Sequence, residues 1–297
     1  MTFEDVIAED EDYNADGDGL PSPDCNILII GAGGIGGLLT HHVARAVAFS
    51  GLTDQIGVLR LTLMDGDEVE ERNLPHQPFC RDDVWGLSQQ DKVDSIWYDL
   101  VYRVGVKPSL GVQIVVINEN FTYDGGEEGS ISEYDLVVVA VDRPEPRKWV
   151  HCKAERWLDL RARGDGFVMW SHEDDYQIFD AFPTLPLGES ASCQLEEAVE
   201  MGNIQFGFAL AAAHGAQWII QWLRNSLVPP GRSYTIHMGD LPLPEIDSPI
   251  LEAQKPILDS LRTDREKFAV ATRLFEMTNE ELDRLKKFMS IQDEVGG

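Results

Sequence analysis

Basic residues are scarce in this chain: 24 Lys and Arg stand against 52 Asp and Glu, for a formal net charge of −28. The first of them is Arg45. Nucleic acids and anionic lipid surfaces are bound through clustered Lys and Arg, so both are excluded as expected partners. Such a surface steers a basic protein partner instead. Cysteine is equally sparse, with four residues at 25, 80, 152 and 193 and no C-x-x-C pair. That spacing argues against a thiolate zinc site and a disulfide scaffold, so any working cysteine acts as a free thiol. No apolar run reaches the length of a membrane span, and the N-terminus has neither a basic region nor an apolar signal core. The expectation is a soluble, cytoplasmic protein.

Three regions are expected: an acidic tail over 1–24, an α/β domain over 25–240 and a charged helical extension over 241–297. The tail has nine acids and no Lys or Arg, the composition of a solvated, disordered segment. Its "DYNADG" matches the start of a calcium loop through Asp12, Asn14, Asp16 and Gly17. The loop needs a bidentate Glu at its twelfth position, and residue 23 is Pro, which argues against a calcium site. From Asn26 onward, apolar strand signals ("NILII", "VLRLTLMD", "VQIVVIN", "DLVVVAVD", "FVMW") alternate with helical stretches near 35–49, 89–103 and 144–161. Alternation of this kind predicts a Rossmann-like, mostly parallel sheet with helices on both faces. A turn-rich crossover loop is expected near 183–197, then a long helix over about 201–225 ended by "PPG", with His214 packed rather than ligating. "TNEE" at Thr278–Glu281 is a capping box for the last helix, and Gly296–Gly297 reads as its stop.

Between the first strand and the first helix lies "GAGGIGG", with a G-x-G-x-x-G at Gly31, Gly33 and Gly36. A loop of this kind sets backbone N–H groups and a helix N-terminus against an anion. The pyrophosphate of NAD or FAD and the phosphates of ATP both satisfy it, and a tight turn that binds nothing is the bland alternative. The second strand ends at Asp65, an acid able to accept from a ribose hydroxyl in either kind of site. The polar loop that follows, "DGDEVEERNLPHQPF", separates the two. A dehydrogenase has no use for it, whereas ATP cleavage needs an amide and a cation for the phosphates and a carboxylate for Mg²⁺.

"GAGGIGG", "DGDEVEERNLPHQ", Lys92 and "DLVVVAVDRPEPR" together resemble the adenylation domain of the ubiquitin-activating, or E1-like, superfamily, to which ThiF and MoeB belong. The resemblance covers roughly 26–225, and "SCQLEEAVEMGNIQFGFALAA" is similar to a stretch of small bacterial members. It implies roles residue by residue. Gly31, Gly33, Gly34 and Gly36 let the backbone approach ATP, Asp65 binds the ribose, and Asn73 holds the phosphates. Gln77 completes the nucleotide contacts, Lys92 neutralises β/γ charge as pyrophosphate leaves, and Asp142 binds Mg²⁺. Cys193, in the expected crossover loop, stands where such enzymes commonly carry a thioester cysteine; an ordinary core cysteine is the alternative. Glu189, Glu196 and Glu197 around it would raise its pKa. Cys80 and Cys152 read as structural.

Three features depart from the family pattern. His76 stands at the motif's arginine, and an imidazole is shorter, lacks the fork and is largely neutral at pH 7. Arg72 and Arg81 are the nearby stand-ins. Lys92 follows Gly86 by six residues rather than three, and residues 1–44 contain no arginine to reach across a dimer. The function expected is ATP- and Mg²⁺-dependent adenylation of a ubiquitin-like or sulfur-carrier protein ending in Gly-Gly. A homodimer and an E2-like acceptor go with it. The alternatives are a non-catalytic E1-like scaffold subunit, an activator of a small molecule, and an NAD- or FAD-dependent oxidoreductase supported by the glycine loop alone.

Overall fold

Mostly apolar runs build one half of the sheet. β1 (Cys25–Ile30), β2 (Leu59–Met64), β3 (Val112–Ile117) and β4 (Leu136–Val139) are rich in Val, Ile and Leu. Ile27, Ile29, Leu61, Leu63 and Val138 are fully buried, as expected of parallel strands covered on both faces. A computed structural model describes residues 24–86, 89–122, 131–174, 199 and 201–241. The acidic tail to residue 23, the loop bearing Cys193 and the expected helices beyond 241 lie outside the described residues.

The helices are α1 (Gly34–Ser50), the short α2 (Thr53–Ile56) and α3 (Arg81–Trp85), α4 (Lys92–Tyr98), α5 (Pro144–Lys153) and α6 (Gly207–Leu223). α4 runs on through a π-helical turn, Asp99–Val104. Three further strands are β5 (Trp157–Arg163), β6 (Gly166–Ser171) and β7 (Arg232–Thr235), and β8 (Gly239–Leu241) closes the edge. The sheet order is β3-β2-β1-β4-β5-β6-β7-β8. Pairings from β3 across to β5 are parallel, with Ile27 aligned to Leu61 on one side and Leu136 on the other. Beyond β5 every pairing is antiparallel. The chain leaves β1 towards β2 and β3, then returns to place β4 on β1's other side. That reversal opens a crevice at the carboxyl ends of β1 and β4, the usual ligand position in such sheets.

α1 packs against α6, and α6 lies over β5 and β6. Close approach requires glycine at 215, where a Cβ would come 2.6 Å from Leu160 and 3.2 Å from Leu39. His214 packs on Phe167, with ring centroids 4.7 Å apart, in agreement with its expected packing role. Among the described residues no helix is long and apolar enough to cross a membrane.

Two element expectations are corrected. The helix expected over 144–161 ends at Lys153, because Ala154 turns to extended backbone at ψ 138° and the chain re-enters the sheet as β5. Trp157, Leu158, Asp159 and Leu160 are buried in succession there, which a one-sided helix does not do. The helix expected from about 201 begins at Gly207, whose missing Cβ would lie 2.3 Å from the Gly166 carbonyl.

Candidate functional site

The glycine loop is tight behind and open in front. Gly31 adopts φ +102°, and a Cβ there would sit 2.7 Å from the Ala140 carbonyl oxygen, so the loops after β1 and β4 touch. At Gly36 a Cβ would lie 1.8 Å from the Gly31 oxygen, inside any possible contact. Gly33 differs: a Cβ there would meet only Gln77 Oε1, at 3.8 Å. α1 begins behind Gly33 with no side-chain cap and no acid in its first turn. Its first N–H groups and the positive end of its dipole are therefore met by no side chain of the helix's own first turn or cap.

Asp65, one residue past β2, ties this loop down. Its Oδ2 accepts from the Ala32 N–H at 2.7 Å and its Oδ1 from the Asp67 N–H at 2.9 Å. Burial raises the Asp65 pKa; Lys92 and the two backbone donors oppose it without cancelling it. Lys92 is buried at the start of α4, with Nζ 2.9 Å from Asp67 Oδ2, and its N–H donates to the Asp67 carbonyl at 3.0 Å. A Glu68–Asp91 bridge and the Val69 N–H to Gln90 carbonyl bond fix α4's start beside the loop after β2.

Asn73, Gln77 and His76 line the other side. Asn73 is buried at the end of a 3₁₀ turn (Glu71–Asn73), and its Oδ1 accepts from the Glu70 N–H at 2.8 Å. That bond orients the amide, whose NH₂ group carries two donors. His76 packs edge-on to Phe208 at 6.2 Å, and its Nε2 lies 3.4 Å from Gln77 Nε2. Buried His76 Nδ1 and Gln77 Oε1 have no hydrogen-bond partner among the described residues. Orphaned polar atoms beside an open glycine face are what a bound polar ligand would satisfy. Burial pushes the His76 pKa down, so at neutral pH this position carries no fixed charge. The two expected stand-ins are engaged elsewhere: Arg72 pairs with Glu70, and Arg81 lies over Trp85 at 5.7 Å.

Asp142 is exposed, three residues beyond the end of β4, in the segment that Ala140 packs on Gly31. Among the described residues no three His, Cys, Asp or Glu side chains cluster as a metal site. A divalent cation here would therefore share one carboxylate with ligand phosphates, the mode Mg²⁺ favours. Cys193 lies outside the described residues. Of the other cysteines, burial pushes the Cys25 thiol up to about 12 and raises Cys152, which keeps both protonated.

A buried charge cluster beneath Asp142 escaped the sequence reading. Asp159 of β5 is fully buried, bonded to Arg147 and within 3.1 Å of His151 Nε2 and 3.0 Å of Arg161. Arg147 also donates to the Val141 carbonyl, next to Asp142. The available signals were an acid inside an apolar strand and Arg147 and His151 spaced four apart on one helix face.

The sequence model of the ThiF family matches residues 23–238. Among solved structures, E. coli MccB crystallised with MccA is 21% identical over 75% of this chain and 66% of that chain, with a TM-score of 0.48. E. coli MccB with ATP is 21% identical over 74% and 64%, with a TM-score of 0.47. PaaA is 14% identical over 74% and 64%, with a TM-score of 0.45. This chain spans just under two thirds of the length of each. No curated protein matches it.

Proposed function

The chain belongs to the ThiF family, and from that premise we propose that it is an E1-like activating enzyme using ATP and Mg²⁺ to adenylate the C-terminal carboxylate of a ubiquitin-like or sulfur-carrier protein ending in Gly-Gly. The observation that carries the reading is the glycine loop, closed behind at Gly31 and Gly36 and open at Gly33 beside the orphaned Gln77 oxygen. Asp65 retains lone pairs for a ribose hydroxyl after accepting from Ala32 and Asp67. Gly34 lets α1 begin beneath the phosphates, and the Asn73 amide donates to them. Lys92 does the same by exchanging its Asp67 partner for phosphate. Asp142 would hold Mg²⁺, which spreads the charge of the phosphates. The carried carboxylate attacks the α-phosphorus, the bond to the β-phosphate oxygen breaks, and pyrophosphate leaves with the electron pair. The residues named contribute positioning and charge stabilisation.

ATP-dependent pyrophosphate exchange with a Gly-Gly-ended protein tests this directly. Titration calorimetry is expected to show binding of ATP with Mg²⁺ and none of NAD; the reverse result overturns the reading. The proposal extends to a homodimer, to an E2-like acceptor and to a thioester at Cys193. In that step the thiolate attacks the acyl carbon and AMP departs. A thiol-sensitive adduct is then expected on non-reducing gels, lost in Cys193→Ala with pyrophosphate exchange retained. Substitutions at Cys25, Cys80 and Cys152 keep both. An adduct that survives Cys193→Ala moves the nucleophile elsewhere.

One observation favours a second reading, a non-catalytic scaffold subunit: neutral His76 stands where the family motif has arginine. In an active enzyme, His76→Arg preserves or raises the exchange rate. Exchange absent from the wild type and present in His76→Arg would identify a site disabled at this position.

A further inference from the structure

Position 76 leaves the crevice without one fixed positive charge, and the opposite wall offers another. Arg143 follows Asp142 directly and is the N-cap residue of α5. Its guanidinium donates to Asn120 Oδ1 at 2.6 Å. Asn120 belongs to the loop after β3, and its backbone nitrogen lies 2.6 Å from where a Gly66 Cβ would be. That loop is therefore packed down on the residue next to Asp65. In the sheet, β3 and β4 are separated by β2 and β1. Three strand spacings amount to about 14 Å. The Asn120–Arg143 bond thus spans the strand ends that carry Asp65 and the glycine loop.

The charge on Arg143 has no structural use in view. Among the described residues it forms no ion pair, although the chain carries 52 acids against 24 bases. Four other basic groups of this region are paired: Lys92 with Asp67, Arg147 and Arg161 with Asp159, and Arg72 with Glu70. Arg143 uses one of five donors on an amide, an arrangement that aims the group without neutralising it. A carboxylate and an anchored guanidinium on successive residues suit a cation and the anion it accompanies.

Resting on the adenylating reading above, we propose that Arg143 is a phosphate-binding residue: held by Asn120, it takes a phosphate oxygen of the bound nucleotide and supplies the positive charge that His76 does not. The contact is a charge-assisted hydrogen bond, so its loss is felt by a charged ligand and not by a neutral one.

Calorimetric titration of the full chain with ATP and with adenosine, both in the presence of Mg²⁺, separates these cases without requiring turnover. Arg143→Gln is expected to weaken ATP about tenfold and to leave adenosine unchanged. Arg143→Lys falls between, keeping the charge but not the fork. Asn120→Ala weakens ATP less than Arg143→Gln, since it removes only the anchor. An ATP affinity equal in wild type and Arg143→Gln overturns the assignment. So does an equal loss for ATP and adenosine, which would make Arg143 a brace for the wall alone. A wild type that binds neither ligand overturns the nucleotide reading itself and the Arg143 assignment with it, a result distinct from an ATP-binding protein indifferent to position 143.

Discussion

Asp142→Ala is expected to abolish pyrophosphate exchange while leaving the protein folded. The two halves of that outcome have separate causes. Asp142 is exposed, and substitution of an exposed side chain usually changes stability by no more than about 0.5 kcal/mol, too little to unfold the protein. Its position is what matters. It follows β4, whose exit segment contacts Gly31 at Ala140, and the proposed reaction places a divalent cation on this carboxylate and the phosphates. Removing the sole protein carboxylate assigned to that cation takes away the metal's share of the charge compensation at the leaving pyrophosphate. Electrostatic stabilisation of this kind is commonly the largest single contribution to catalysis, so a loss of at least about a hundredfold is expected. Exchange within twofold of wild type would take Asp142 out of the reaction.

Arg147→Met produces the largest expected loss of stability, about 3–5 kcal/mol by chemical denaturation at pH 7. Asp159 is fully buried, and the substitution removes its strongest partner and leaves charge in the interior. The double variant Arg147→Met with Asp159→Leu should recover much of the loss, because no bare carboxylate remains. The pH dependence identifies the cause. Burial would raise the Asp159 pKa, but Arg147 and Arg161 outweigh it and hold the carboxyl well below its usual range. A depressed carboxylate stabilises the fold fully above its unfolded value near 3.9, and that contribution erodes as pH falls below it. His151 is kept neutral by burial, with its pKa lowered, so its unfolded form gains a proton first as the solution acidifies, below about pH 6.5. Both slopes favour unfolding in acid. The gap between wild type and Arg147→Met therefore narrows as pH falls below the ordinary Asp range, where the variant's Asp159 is protonated and needs no partner. A gap equal at pH 7 and in acid would assign the loss to packing of the arginine stem.

The legible parts of the sequence were those where one residue type has a single physical use. The runs at 26–30, 58–65 and 112–118 are mostly apolar and rich in Leu, Ile and Val, and each becomes a largely buried parallel strand. The glycines at 31 and 36 are dictated by contacts that admit no Cβ. Less was legible where burial comes from distant partners. Trp157–Arg163 includes Asp159 and two arginines, and reads as a helix continuation until the sheet supplies neighbours on both sides. β7 and β8, at the end of the sheet, are short, with partly exposed residues and no apolar alternation, so no periodic signal marks them. At the candidate site, Asp65 and Lys92 are joined through Asp67, a link that depends on the loop after β2 meeting the start of α4. Arg143 left no trace in the motif, because its meaning lies in an amide 23 residues away.

The packing of α1 against α6 has a consequence in the order of synthesis. The ribosome makes the glycine loop and α1, which ends at Ser50, well before α6, which begins only at Gly207. Until then Leu39, Val43 and Val47, all fully buried in the finished fold, lack the helix that α1 packs against. Phe208, whose ring would lie 3.0 Å from a Gly34 Cβ, arrives equally late. Contacts of such long sequence separation are costly in loop-closure entropy and form late in folding. A nascent chain stalled before α6 would therefore carry every glycine of the loop yet lack the helix that packs on α1, so the proposed nucleotide site is completed only after α6 has been made.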